Sequence, residues 1–197
     1  MNKKLTWAAI FTLIGFPLIG YALLYIFAED PIAIWRQSTW TVHWFWQIAI
    51  GAALGFALGK GAEFIVTRPF LKKTEEKYAR LIQKLNLSHA QIIFISFCAG
   101  FGEELLFRGS VQPLLGIWIT AVIFVAIHGY LNPLNWNISV YGIFMTGAIA
   151  LLGYCTDYIG LLSACVAHMM IDVVLFYHLA KGRDAIEIVS EIHYENE

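Results

Sequence analysis

From Leu87 to Ala180 the chain is nearly devoid of charge, and no other feature limits its fold as strongly. The charged residues of this stretch are Glu103, Glu104, Arg108, Asp157 and Asp172. Continuous apolar runs without two-residue alternation read as membrane helices, because only helices and closed barrels satisfy the backbone in lipid, and a barrel would alternate. Composition agrees. The 197 residues are 59% hydrophobic and 14% charged, against about 45–50% and 25% in soluble domains. The expected class is an all-α, multi-pass membrane helical bundle forming one domain. A net charge of −1 argues against nucleic acid as a partner and leaves the lipid bilayer as the principal surroundings. Cys98, Cys155 and Cys165 fall in apolar segments with no C-x-x-C spacing, so they read as small buried residues.

Six spans are expected. The first is the apolar run Leu5 to Ala28, longer than a signal-peptide core and without a small-x-small site after it. A short connection, Ala28 to Thr39, leads to a second span from Trp40 to Gly59 that opens on Trp40, Trp44, Phe45 and Trp46, a set suited to the membrane interface. Lys60 to Ser88 holds seven of the thirteen basic residues, with Leu71, Tyr78, Leu81, Ile82 and Leu85 at helical spacing. It reads as an amphipathic helix on the cytoplasmic surface, serving as a solvated connector. Apolar segments at 89–115, 117–131, 137–154 and 158–180 complete the bundle. The expected organisation is a two-span region with its basic connector over 1–88, a core over 89–180 and a charged, flexible cytoplasmic tail over 181–197. With six spans, eleven of the thirteen Lys and Arg fall on one side, which the positive-inside rule makes the cytoplasm, together with both termini.

Charge at bilayer depth costs at least about 2.5–3.5 kcal/mol per residue, so the charges of the core are site residues by default. Glu104 and Arg108 stand at i and i+4 and are expected to pair across one turn. Glu103 points about 100° away from Glu104 and has no local partner. His128 lies in the next apolar segment, and His168 and Asp172 lie one turn apart in the last. If the chain turns near Gly116, Glu104 and His128 are each twelve residues from the turn, roughly 18 Å deep, and His168 falls at a similar level. Gly100, Gly102 and Gly109 flank the carboxylates and would let helices approach closely.

A carboxylate beside a histidine can take a proton from water, and a second histidine with a polar neighbour can stabilise a tetrahedral oxyanion. The same Glu103, His128 and His168 would alternatively hold zinc with a bound water. Ser110 and Ser163 have no G-x-S-x-G context for nucleophilic serine chemistry. Hydrolysis of a peptide bond at membrane depth is one function class; a scaffold, or an ion or proton carrier using the same cluster, is the other. Haem between His128 and His168 is the weakest of the readings.

Glu103-Glu104-x-x-x-Arg108, Phe124-x-x-x-His128 and His168-x-x-x-Asp172, in that order, resemble the three motifs of the CAAX-protease and bacteriocin-processing (CPBP) family, which includes the Rce1-type prenyl-protein endopeptidases. The resemblance covers Gln91 to Tyr177. It implies Glu103 as the water-activating base with His128 beside it, His168 and residue 172 as oxyanion stabilisers, and Glu104 and Arg108 as supports. It also implies a peptide or protein substrate, prenylated or otherwise membrane-bound. Rce1-type members carry asparagine where this chain has Asp172, and an ionised Asp172 cannot donate a hydrogen bond to an oxyanion.

Overall fold

The computed structural model describes residues 3–39 and 42–194; side chains at 36–41 and from 181 onward lie outside the described residues. The described chain is all helical, in the order α1 (Lys3–Phe27), α2 (Pro31–Thr39), α3 (Trp44–Val66), a 3₁₀ turn (Pro69–Leu71), α4 (Lys72–Leu85), α5 (His89–Leu106), a π turn (Phe107–Val111), α6 (Gln112–Leu115), α7 (Ile117–Ile127), α8 (Trp136–Tyr158) and α9 (Leu161–Tyr194). Five segments are long and apolar enough to cross a bilayer: Lys3–Phe27, Trp44–Val66, His89–Leu115, Trp136–Tyr158 and Leu161–Ala180. The architecture is a multi-pass membrane bundle.

The sixth expected span is shorter than its apolar run. Helix α7 has 11 residues, about 16 Å of rise, half a bilayer. It stops because Gly129 takes φ 77, while Gly129 and Tyr130 donate to the Ala126 and Val125 carbonyls, the paired bonds of a Schellman cap. Irregular chain then climbs beside α8: Ser139 Oγ accepts from the Asn132 amide at 3.0 Å and donates to its carbonyl at 2.8 Å. A Cβ on Gly142 would strike the Tyr130 carbonyl, so α8 is bare where this segment crosses it. Non-helical backbone is tolerated at such depth only when protein covers it.

Three other boundaries differ from the sequence reading. The 28–39 connection contains a helix, with the Asp30 carboxylate accepting from the Ala33 amide at 2.9 Å near its start. Helix α3 runs on to Val66, so Lys60 belongs to a span, and the amphipathic helix is confined to Lys72–Leu85. That helix is docked rather than solvated: Gln83 donates to the Leu179 carbonyl at 3.2 Å, and His178 Nε2 meets Glu75 at 2.7 Å. Beyond Lys181, expected to be flexible, α9 continues helical to Tyr194.

Helices in lipid gain little from apolar burial against each other and associate through close packing. Gly51, Gly55 and Gly59 form a stripe on α3; a Cβ on any of them would run into Ser163, Ala167 or Val174 of α9. Gly100 does the same for α5 against Met169, and Gly102 for α5 against the Thr12 backbone of α1. Gly109 does not: a Cβ there would make ordinary contact at 3.7 Å. Helices α5 and α9 are thereby held at backbone contact, and the polar residues lie along that seam.

Candidate active site

Glu103 and Glu104 close α5, whose start is fixed by a capping box between Ser88 and Gln91. The helix then widens into the π turn, Gln112 donating to the Phe107 carbonyl. Pro113 supplies the cause, since it has no N–H for the Gly109 carbonyl and its ring crowds that carbonyl. The adjustment buries Arg108 and aims Gln112 at α8, where its amide donates to Gly153 O at 3.1 Å and Asp157 Oδ1 at 2.9 Å.

The two glutamates part as their 100° offset requires. Glu104 is 0% exposed. One oxygen lies 3.1 Å from Arg108 Nε, and the other meets His168 Nδ1 at 2.8 Å. Arg108 also donates from Nη2 to the Ile149 carbonyl at 3.2 Å, joining α5 to α8, while Glu104 carries the link on to His168 of α9. Burying these charges is tolerable only with partners, and a triad spread over three elements supplies them. Glu103 turns instead toward α7, its Oε2 3.6 Å from His128 Nε2. That pair is the more open one, with side chains 16% and 32% exposed.

Histidine tautomers follow from the partners. His128 Nδ1 lies 2.6 Å from the Phe124 carbonyl, an acceptor only, so Nδ1 carries a proton and Nε2 faces Glu103. His168 Nδ1 likewise donates to the Glu104 carboxylate, leaving Nε2 3.9 Å from Asp172 Oδ1. That gap is too long for a hydrogen bond.

Sequence reasoning placed Phe124 in the second motif but gave it no role. Its ring stacks on His128 at 4.4 Å, meets His168 edge-on at 5.6 Å and lies 5.4 Å from the Arg108 guanidinium. It separates the open pair from the buried triad and keeps both imidazoles in place. The available signal was its i−4 position before His128. Tyr130, 6.0 Å from the His128 ring, was missed as well, because it follows the unforeseen end of α7. For a metal, the donor set fits poorly: among the described residues no three His, Cys, Asp or Glu side chains converge to hold one, and His168 Nδ1 is already committed to Glu104.

Comparison with known proteins follows this core. The family model described as type II CAAX prenyl endopeptidase Rce1-like matches residues 85–174, a span that contains all six polar residues and Phe124. The uncharacterized protein YpbD of Bacillus subtilis (strain 168) is 35% identical over 97 residues, 48% of this chain and 48% of YpbD. The match thus spans about half the length of that curated relative. No solved structure matches the chain.

Proposed function

From the premise that residues 85–174 are Rce1-like, we propose that the chain is an intramembrane endopeptidase that hydrolyses a peptide bond with water activated by Glu103. The observation that carries this reading is the division of labour between the glutamates: Glu104 is buried and doubly paired, while Glu103 faces a histidine in the more open part of the site.

Glu103 takes a proton from a water bound beside it and His128 Nε2 as the water oxygen attacks the peptide carbonyl carbon. His168, cationic when both ring nitrogens are protonated, is supported at Nδ1 by Glu104 and offers Nε2–H to the oxyanion. Collapse of the tetrahedral intermediate breaks the C–N bond, and the proton on Glu103 passes to the departing amine by way of His128. Phe124 holds the rings, and Arg108 stands beside Glu104 as its counter-charge. Each group on this route is a side chain of the chain itself. Asp172, beside His168 Nε2, orients that ring rather than donating to the oxyanion. By the distribution of Lys and Arg, the end of the bundle bearing α4 faces the cytoplasm. The substrate is a peptide or protein that reaches the site from the membrane.

The competing reading is a scaffold or proton carrier in which the Arg108–Glu104–His168 network is purely structural. Purified wild type and Glu103→Gln, in liposomes with pools of quenched fluorescent peptides, separate the two. Cleavage by the wild type alone supports the peptidase. Equal behaviour of the two folded proteins refutes it.

A further inference from the structure

A cavity of about 200 Å³ opens beside Asp172. Helix α4 roofs it with Thr74, Tyr78 and Ile82, spaced one turn apart on one face, and Leu175 of α9 forms a wall. Among the described residues Asp172 is the one charged residue in its lining, and apart from Thr74 the rest is apolar or aromatic. Tyr130 also lines it, stacked toward His128 on one side and edge-on to Tyr141 at 5.1 Å on the other. The cavity is therefore continuous with the site through two residues, Asp172 and Tyr130. Its roof is tied down: His178 reaches Glu75 of α4 at 2.7 Å and Glu63 of α3 at 3.4 Å.

Resting on the peptidase reading, we propose that this cavity is a specificity subsite taking a single large apolar side chain of the substrate, next to the bond that is cut. Size sets the occupant. Pockets that enclose a whole drug-sized ligand run to roughly 300–1,000 Å³, and this one, at about 200 Å³, has room for a phenylalanine or leucine side chain. Chemistry sets the rest. An acidic side chain would meet Asp172, and a small one would leave the apolar walls unfilled. Tyr78 and Ile82 bring α4 into the selection, so the amphipathic helix is a specificity element as well as a membrane-surface one.

The test reads occupancy without turnover. In the Glu103→Gln protein, Leu175→Cys places a thiol in the wall, while Cys98, Cys155 and Cys165 are buried. Alkylation by N-ethylmaleimide is timed with hexapeptide pools fixed at one position as Phe, Leu, Ala or Asp, and Ile82→Cys repeats the measurement from the roof. The proposal expects the Phe and Leu pools to slow alkylation about tenfold and the Ala and Asp pools to leave it within about twofold. Equal protection by all pools, no protection by any, or stronger protection by a prenylated pool than by Phe overturns it. Wild-type protein that cleaves none of the pools, with the Phe and Leu protection intact, refutes the peptidase reading and leaves the subsite standing as a binding site.

Discussion

His168 donates from Nδ1 to Glu104 at 2.8 Å across 64 residues of sequence, and this bond holds the first and third motifs of the core in register. Glu104→Ala leaves Arg108 and His168 buried without a counter-charge, a defect of about 3–5 kcal/mol. Thermal unfolding in detergent should show a lower Tm or no folded protein. Arg108→Lys should rescue little, because a single ammonium cannot keep both Glu104 and the Ile149 carbonyl.

Glu103→Gln should behave in the opposite way. The side chain is isosteric, and its partner at 3.6 Å is not tightly bonded, so Tm should stay within a few degrees. Turnover should fall about 10²–10⁴-fold, the usual worth of a general base. A mutant that cleaves at the wild-type rate would remove Glu103 from the mechanism.

Asp172→Asn should retain turnover within about tenfold. The amide keeps the shape and adds a donor beside His168 Nε2, so an oxyanion gains a partner. A loss beyond about a hundredfold would mean that the carboxylate itself is needed, to orient or charge His168.

Phe124→Leu should lower kcat with KM nearly unchanged, since the ring fixes both imidazoles and is itself only 4% exposed. Steady-state kinetics on a peptide cleaved by the wild type would measure the split.

Elemental analysis of purified protein should find zinc well below one per chain, and a chelator should leave turnover unchanged. Stoichiometric zinc that is lost with His128→Ala would replace the glutamate route with a metal-bound water.

How much of this was legible in the residues depends on whether a feature is local. The Glu104–Arg108 pair follows from i,i+4 geometry, and the turn at Gly116, φ 80, follows from its position after Pro113. The early end of α7 had a visible cause in Gly129, but a run apolar to Leu131 masked it: hydropathy reports what lipid tolerates and not where the backbone stops being helical. The docking of α4 was hidden because a basic amphipathic face looks the same lying on a membrane as lying on a protein. The role of Phe124, though the residue stood in the second motif, was hidden for a similar reason, as its ring resembles any other apolar residue until three charged or imidazole groups surround it. The pairing of Glu103 with His128 came from the resemblance of the motifs and not from local geometry, since nothing within one turn of Glu103 announces its partner.

The π turn at Phe107–Val111 acts as a phase shifter. An unbroken α-helix presents one stripe along its whole length, yet this segment serves two clients: α9 before the bulge, through Gly100 and Glu104, and α8 after it, through Gln112. The extra residue resets the angular count between them by about 100°. Deleting one residue there would restore ideal helical geometry and leave each half intact, but the two faces could no longer be satisfied together. Regularity at this point would thus disconnect the polar seam from the helix that braces it.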